Sequence, residues 1–167
     1  SQMSKYIILY RHGLAEEKSK VEDNMLRSLS VRGNRVLKKS VSGFKTMLGR
    51  HRHVIIYTSP KQRSIQTAEM LAEELHTGQP VTLDFLAAGG NIKLLKGLLE
   101  DAKTDTIAIL VGHQPYLSVW SQEISGFYLP FKKGTAACYK YPDEITEEKA
   151  ELRWYLQSRD FIKIKDK

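Results

Sequence analysis

The chain has 167 residues, 41% hydrophobic and 27% charged, a composition that suits one globular domain and excludes a disordered or membrane-embedded chain. No apolar run reaches the roughly 18–20 residues that span a bilayer, and no signal-like segment precedes the first apolar run. The formal net charge of +7 favours anionic partners. Because the basic residues are scattered, we expect neither nucleic acid nor a membrane as partner, and the single cysteine, Cys138, fits a cytoplasmic location.

The first predicted element is a short buried strand at residues 6–10, which is apolar and rich in β-forming residues. Arg11-His12-Gly13 follows it directly, and the glycine lets the backbone turn sharply. A cation and an imidazole at the carboxyl end of a strand can bind and attack an anion, since open α/β sheets collect ligands at that edge. On these three residues alone, an incidental charged strand end is an equal alternative.

A polar segment, Leu14–Asn24, has no periodicity and is expected to be an exposed loop near that strand end. The first helix follows, with Ser28 or Ser30 as its N-cap and Gly49 as its stop. Gly43 is expected to weaken this helix by about 1 kcal/mol. The apolar residues that recur on one face are Leu37, Val41, Phe44 and Leu48.

The second strand is predicted at His53–Tyr57, which is apolar in its middle and therefore expected to be buried on both faces. Ser59 suits the N-cap of a second helix and Pro60 its first position, so that Arg63 lies in the first turn. The apolar face of this helix comprises Ile65, Ala68, Leu71, Ala72 and Leu75. A short extended piece is expected at residues 81–83.

A flexible junction is expected at Ala87–Gly90, followed by a third helix that Asn91 caps. The third strong strand, Thr106–Val111, runs into Gly112-His113-Gln114-Pro115, and Pro115 suits the first position of the next helix. The apolar face of that helix comprises Leu117, Trp120, Ile124 and Phe127.

The C-terminal part of the chain predicts a β-hairpin at a sheet edge, from a strand at Thr135–Tyr141 and alternating residues at 152–156. Its acidic connection, Pro142–Glu151, lacks the clustering with His or Asn that a metal site would need. Residues 158–167 are expected to form a flexible tail, and Ser1-Gln2 to be a remnant of expression. The whole is predicted to be one domain, residues 1–167, with a three-layer α/β/α fold, a mostly parallel central sheet and helices on both faces.

The three apolar strands each end in a charged or polar turn, and parallel neighbouring strands would bring these turns to one edge. Two arginines, Arg11 and Arg63, and two histidines, His12 and His113, would then converge. Such a cluster needs an anion for stability, and a phosphoryl group matches guanidinium in bidentate fashion. The N-termini of two helices would add favourable dipoles.

The histidines allow chemistry beyond binding. An imidazole in line with phosphorus can act as a nucleophile and form a phosphohistidine intermediate. The other imidazole can neutralise charge that develops on the equatorial oxygens. We expect no metal or other cofactor, because the arginines supply the positive charge.

These motifs resemble those of the histidine phosphatase (phosphoglycerate-mutase-like) superfamily. Leu9–Gly13 resembles its Arg-His-Gly signature, and Gly112–Pro115 resembles its third motif. The segment from residue 59 to residue 67 resembles the second motif of the superfamily, through Ser59-Pro60, Arg63 and Gln66-Thr67. Three motifs in the right order are specific, whereas a lone Arg-His-Gly is not. The match spans about residues 5–157.

More narrowly, the short chain is similar to the SixA-type phosphohistidine phosphatases. Arg27–Gly33 resembles their Arg-Pro-Leu-Thr segment, with Ser28 in place of the proline. The resemblance implies that His12 is the nucleophile. It implies that Arg11, Arg63 and His113 surround the phosphoryl group, and Arg27 is a further candidate contact with the substrate.

The chain departs from larger superfamily members, which carry an acidic general acid between the second and third motifs. Asp84 is the only carboxylate in the corresponding segment, Leu83–Asn91, and it precedes the glycines by several residues. General acid catalysis contributes ~10²–10⁴ in rate, which alcohol leaving groups need. A phosphoramidate needs less help, because its nitrogen can be protonated before it leaves.

The sequence therefore predicts hydrolysis of phosphohistidine on a protein, such as a histidine phosphotransfer domain. One alternative is a small-molecule phosphomonoesterase of the same superfamily, whose acid would be Asp84 or one of four residues in the Leu14–Asn24 loop: Glu16, Glu17, Glu22 or Asp23. The other is a phosphate-binding regulator without activity, which retention of both histidines argues against.

Three further features of the sequence are not expected to be functional. His51 and His53 could suggest a metal-binding face, but the neighbouring Arg50 and Arg52 argue against it. His76 is expected to end a helix, where an imidazole favours the helix dipole. Cys138 is interpreted as a packing residue.

Overall fold

A computed structural model describes residues 4–51, 53–142 and 149–164 of the chain. Within these residues six strands form one sheet: β1 (Lys5–Arg11), β2 (His53–Thr58), β3 (Val81–Thr82), β4 (Thr106–Gly112), β5 (Ala136–Tyr141) and β6 (Glu151–Leu156). The helices are α1 (Val31–Leu48), α2 (Gln62–Leu75), α3 (Phe85–Ala88), α4 (Ile92–Glu100), α5 (Tyr116–Ser125) and α6 (Ser158–Lys163). Short 3-10 turns lie at Lys18–Lys20 and Asn24–Leu26.

The strand order is β3-β2-β4-β1-β5-β6. The first four strands in this order run parallel, and β5 and β6 are antiparallel to their neighbours. This arrangement confirms the predicted α/β fold with a mostly parallel sheet and an edge hairpin. Because β4 lies between β1 and β2, the carboxyl ends of all three strands meet at one edge, as the sequence predicts.

The sheet has an apolar core on each face. On one face, Ile8 and Tyr10 of β1 pack in a cluster with Phe44 of α1. On the other face, Leu9 packs in a cluster with Trp120 of α5. Every residue of β4 is buried, since this strand lies at the centre of the sheet with helices on both sides. Helices therefore cover both faces of the sheet, as predicted.

Three of the predicted helix boundaries are confirmed. The Ser30 hydroxyl accepts a hydrogen bond from the Gly33 amide, so Ser30 rather than Ser28 caps α1. Gly49 ends α1 with a φ of 71°, a conformation that suits glycine. The Asn91 side chain caps α4 by accepting from the Lys93 amide.

The predicted burial of β2 on both faces is wrong. Of its six residues only Ile56 and Thr58 are buried, and Val54 and Ile55 are partly exposed. The outer neighbour of β2 is β3, which has only two residues, so most of β2 has a strand on one side alone.

Two predicted helix starts are also shifted. Helix α2 begins at Gln62 with Lys61 at the N-cap, so Ser59 and Pro60 precede it. Pro115 occupies the N-cap of α5 rather than its first position. After β2 and after β4, the turn before the next helix is therefore longer than predicted.

The predicted flexible junction and the predicted face of α5 need correction. Ala87 and Ala88 belong to the short helix α3, which ends at Gly89 with a φ of 73°. A side chain at Gly89 would collide with the ring of Tyr116. Helix α5 ends at Ser125, and Phe127 lies beyond it with 55% of its side chain exposed.

The prediction of a flexible tail from residue 158 is wrong for the described part. Residues Ser158–Lys163 form α6, whose start carries a capping box between Gln157 and Asp160. Phe161 is fully buried in the core that contains Phe44, and this burial fixes α6 against α1. Several predictions fall on residues outside the described ranges: the end of the tail (165–167), Ser1-Gln2, part of the acidic connection (143–148) and Arg52. No helix in the described ranges is long and apolar enough to cross a membrane.

Candidate active site

The two histidines follow paired ends of neighbouring parallel strands. Arg11 of β1 pairs with Gly112 of β4, and the His12 amide donates a hydrogen bond of 3.3 Å to the Gly112 carbonyl. The next residue of each strand end is a histidine, and the ring centroids of His12 and His113 lie 4.9 Å apart. Both rings are buried to 96%, since each side chain is 4% exposed. The strand register thus places two imidazoles side by side.

The hydrogen bonds of His12 define its tautomer. Nδ1 lies 2.7 Å from the Gly13 carbonyl oxygen, and since a carbonyl only accepts, Nδ1 carries the proton. Nε2 is therefore left with a lone pair. The Arg63 Nε–H donates to this nitrogen over 3.3 Å. The ring is thus fixed with its basic nitrogen toward a guanidinium group.

Residues of the second motif hold this strand end against α2. The Gly13 amide donates to Thr67 Oγ1 over 3.1 Å, and the Thr67 hydroxyl in turn donates to the Arg63 carbonyl over 2.8 Å. The Gln66 side chain accepts from the Leu29 amide at 2.7 Å. Gln66 and Thr67 therefore have positioning roles, since they connect the β1 end and the segment before α1 to the first turns of α2.

Both arginines are anchored by backbone carbonyl groups. Arg63 Nη1 donates to the Asn24 carbonyl over 2.9 Å, and Arg11 Nη1 donates to the Phe131 carbonyl over 2.7 Å. Arg11 Nε is buried and has no hydrogen-bond partner within the described residues. Because carbonyl oxygens carry no net charge, the positive charge of each guanidinium stays available to an anion.

Two serines, Ser59 and Ser64, surround His113. Nε2 of its ring lies 2.7 Å from Ser59 Oγ and 3.2 Å from Ser64 Oγ. The Lys61 amide also donates to Ser59 Oγ over 3.3 Å. The contacts of Ser59 and Ser64 with His113 were not predicted. The position of Ser59 before a proline suggested an N-cap instead, and Ser64 carries no sequence signal.

The electrostatics of the site are dominated by positive charge. Burial lowers the pKa of His12 to about 3; the bond to Gly13 opposes this shift, whereas Arg63 and Arg11 add to it. Burial also lowers the pKa of His113 far below its ordinary value, with further contributions from His12 and Arg63. Burial and neighbouring arginines lower the pKa of Arg63 to about 10. At neutral pH both imidazoles are therefore uncharged and both arginines are charged.

A rim of further cations surrounds these four residues. Arg27 donates from Nε to Asn24 Oδ1 over 3.1 Å and from Nη1 to the Glu16 carbonyl over 2.9 Å. Arg27 contributes to the lowered pKa of His12 and of Arg63. This predicted substrate contact therefore lies near the site, and its hydrogen bonds go to Asn24 and Glu16 rather than to either imidazole. Burial lowers the pKa of Lys61 and of Lys133, and Arg27 together with one arginine of the site adds to each shift. These two lysines were not predicted.

The predicted acid candidates do not join the central cluster. The charged groups that lower the pKa of His12 and His113 are all basic. Asp84 is exposed and its side chain does not cap α3. Asp23 accepts from the Met25 amide at 2.9 Å. Glu16, Glu17 and Glu22 are exposed.

The remaining candidates from the sequence lie elsewhere. His51 Nδ1 lies 3.3 Å from Asp105 Oδ1, and the described residues contain no group of three His, Cys, Asp or Glu side chains suited to a metal ion. His76 ends α2 in the left-handed conformation, with a φ of 54°. Burial raises the pKa of Cys138 to about 12, so its thiol is inert, in keeping with a packing residue.

Comparisons with known proteins identify one relative by sequence and several proteins of similar fold. No family model matches the chain. An uncharacterized protein from Picosynechococcus is 33% identical over 133 residues, which cover 76% of this chain and 79% of the relative. The structure is similar to that of the protein histidine phosphatase SixA complexed with tungstate, with a TM-score of 0.78, 17% identity and coverage of 93% of this chain and 98% of the other.

The same fold also occurs in an ester phosphatase. A mutant phosphoserine phosphatase from Entamoeba histolytica in complex with phosphoserine has a TM-score of 0.67 and 13% identity, with coverage of 93% of this chain and 98% of the other. Likeness at this level of identity establishes the fold, and the substrate has to be argued from the residues of the site.

Proposed function

Because the chain belongs to the family of the Picosynechococcus protein and has the histidine phosphatase fold, we propose that it is a phosphatase that hydrolyses phosphohistidine in proteins. The observation that carries this proposal is the fixed tautomer of His12. Its Nδ1 proton is held by the Gly13 carbonyl, and its Nε2 lone pair lies in a pocket of cations. A neutral imidazole in such a pocket is a nucleophile placed where a phosphoryl group is attracted.

In the first step His12 Nε2 attacks the phosphorus in line with the leaving group. The bond between phosphorus and the substrate nitrogen breaks as the bond to Nε2 forms. Arg11 and Arg63 bind the equatorial oxygens and offset their charge. The hydrogen bond from Arg63 Nε to Nε2 is exchanged for one to a phosphoryl oxygen. His113, held by Ser59 and Ser64, lies beside the same group.

In the second step water attacks the phosphorus of the intermediate, and the bond to His12 Nε2 breaks. Inorganic phosphate takes the oxygen and one proton of the water, and the other proton goes to solvent. His12 returns to the tautomer that the Gly13 carbonyl favours. The cycle regenerates the enzyme and needs no further reactant.

The charges around the site support a nitrogen leaving group. The imidazole of a phosphohistidine can leave as a neutral ring once its second nitrogen has taken a proton from water, so the enzyme need not supply an acid. The groups that act electrostatically on His12 are all cations, and cations disfavour the protonation of a general acid. Within the described part of the chain this set contains no carboxylate, which favours a phosphoramidate over an ester.

An ester substrate is the alternative that one observation favours. The Leu14–Asn24 loop reaches the site, because the Glu16 carbonyl accepts from Arg27 and the Asn24 carbonyl accepts from Arg63. A movement of this loop could bring the carboxyl group of Glu16 or Glu22 to a leaving oxygen. Comparing the rates on phosphohistidine and on a phosphomonoester separates the two functions. A strong preference for the ester that Glu16→Gln, Glu22→Gln or Asp84→Asn abolishes would support the alternative.

The decisive experiment traps the intermediate. The enzyme is mixed with ³²P-labelled phosphohistidine, quenched in alkali because phosphohistidine is labile in acid, and the modified residue is mapped by mass spectrometry. We expect label on His12 and a fall in phosphate release of about 10³-fold or more in His12→Ala. His76→Asn, which changes an exposed histidine, is the matched control and retains full activity. Undiminished phosphate release by His12→Ala would overturn the mechanism.

A further inference from the structure

The 3-10 turn at Asn24–Leu26 forms part of the rim of the active site. Its first carbonyl, that of Asn24, accepts from Arg63 Nη1 over 2.9 Å. The Asn24 side chain accepts from Arg27 Nε over 3.1 Å, and Asp23 caps the turn by accepting from the Met25 amide. Hydrogen bonds on both sides therefore fix this turn next to a guanidinium of the site.

This fixed turn exposes two apolar side chains, Leu26 (64% exposed) and Met25 (40% exposed). The turn contains no buried residue, and neither side chain belongs to the two apolar cores described above. A single exposed leucine needs no explanation. An adjacent leucine and methionine are different when hydrogen bonds hold their turn beside Arg63 of the proposed active site. Methionine adapts its shape to varied apolar partners, which suits a binding surface.

The charges around this pair indicate what kind of surface fits it. Arg27 follows Leu26 directly, and its guanidinium is held by the Asn24 side chain and the Glu16 carbonyl. Arg63 also donates to the Asn24 carbonyl of the turn, so two guanidinium groups lie beside Met25 and Leu26. A partner therefore has to present apolar groups flanked by carboxylates. Free phosphohistidine has no such apolar surface, whereas a folded protein does.

We propose that Met25 and Leu26, beside Arg27, are the docking surface for a folded substrate protein that carries an apolar patch and acidic residues beside its phosphohistidine. The proposal rests on the function proposed above and names the part of the enzyme that selects a protein over a free phosphorylated amino acid. Apolar contact supplies affinity, and the cations orient the acidic surface and accelerate the encounter.

The test is the double variant Met25→Ser/Leu26→Ser assayed on two substrates. One is a phosphorylated histidine phosphotransfer domain and the other is free phosphohistidine. We expect kcat/KM on the phosphorylated domain to fall at least tenfold, mainly through a higher KM, and kcat/KM on free phosphohistidine to change less than twofold. The matched control is Val119→Ser, which removes an apolar side chain of α5 that is 42% exposed, and it leaves both rates unchanged.

In the activity assay, two results would overturn the docking surface: an equal fall on both substrates, or an unchanged rate on the phosphorylated domain. Binding separates this inference from the proposed function. In a His12→Ala background, which cannot form the intermediate, the double variant is expected to weaken binding of the phosphorylated domain at least tenfold, and added salt weakens it further. Weakened binding without any hydrolysis by the wild type would retain the docking surface and reject the phosphatase activity. Unchanged binding in that background would reject the docking surface.

Discussion

The orientation of His113 depends on two hydroxyl groups at unequal distances, and this difference predicts unequal effects of removing them. Ser59→Ala removes the contact at 2.7 Å and leaves a buried ring nitrogen with only the 3.2 Å contact to Ser64. We expect kcat on phosphohistidine to fall about tenfold, equivalent to about 1.4 kcal/mol. Ser64→Ala should reduce kcat less, because its contact is longer.

Steady-state kinetics and thermal melting of both variants check this expectation. The melting temperature and KM should stay close to those of the wild type, which separates positioning of the ring from loss of folding. An equal kcat in Ser59→Ala and the wild type would show that His113 is oriented by other contacts.

A residue of the site was predictable from the sequence when it directly follows a recognisable strand. Arg11, His12 and His113 each follow an apolar strand directly, so the strand pattern alone places them at one edge. Ser64 and Lys133 have no such signal, because their proximity to the site depends on how α2 and the segment before β5 pack. Ser59 had a competing interpretation, since a hydroxyl before a proline suits an N-cap equally well.

At the scale of elements, the packing of α6 on α1 predicts opposite effects for two glycine-to-alanine changes in helices. A methyl group at Gly43 would lie 1.9 Å from the Phe161 carbonyl oxygen, whereas one at Gly97 in α4 would meet no atom within 4 Å. Gly43→Ala should therefore destabilise the protein by about 1–3 kcal/mol, because α6 has to shift. Gly97→Ala should stabilise it by about 0.5–1 kcal/mol through higher helix propensity.

Urea unfolding of the two variants and the wild type measures both effects in the same way. Because both variants replace a helical glycine by alanine, the difference between their free energies of unfolding reports how tightly each position is packed. Stabilisation by Gly43→Ala to the degree seen for Gly97→Ala would mean that α6 does not rest on α1 as described.

Elements were predictable where local pattern and tertiary packing agree. The three apolar parallel strands (β1, β2 and β4) and helices α1, α4 and α5 show a strong pattern or clear caps. The pattern of α6 is too short to distinguish from a charged tail, and only burial of Phe161 in the core reveals the helix. Gly43 likewise looked like a weak point of α1, although the close approach of the Phe161 backbone requires it.

At the scale of the whole molecule, the net charge of +7 is partly organised around the site. Arg11, Arg27, Lys61, Arg63 and Lys133 are linked by electrostatic effects on one another or on the histidines. Such a field attracts anionic substrates. Burial, with a smaller contribution from this field, keeps both imidazoles neutral, which connects the stability of the protein to pH.

The free energy of unfolding should decrease on acidification because of His12 and His113. Their pKa values lie below the unfolded value of about 6.5, that of His12 at about 3. As the pH falls below about 6.5, the unfolded chain binds protons that the folded protein does not. The contribution of these two neutral histidines to the free energy of unfolding is therefore fully present above about pH 6.5 and is lost as the pH falls toward about 3.

Thermal melting between about pH 8 and about pH 5 measures this linkage. In the wild type the melting temperature should fall below about pH 6.5, whereas the double variant His12→Gln/His113→Gln should show a shallower fall because its amides do not titrate. His76→Asn, which replaces an exposed histidine, should retain the slope of the wild type. An identical slope in the double variant would mean that these imidazoles titrate alike in the folded and unfolded chain. His12 would then be largely protonated in mild acid, and the lone pair that its proposed attack requires would be available only at higher pH.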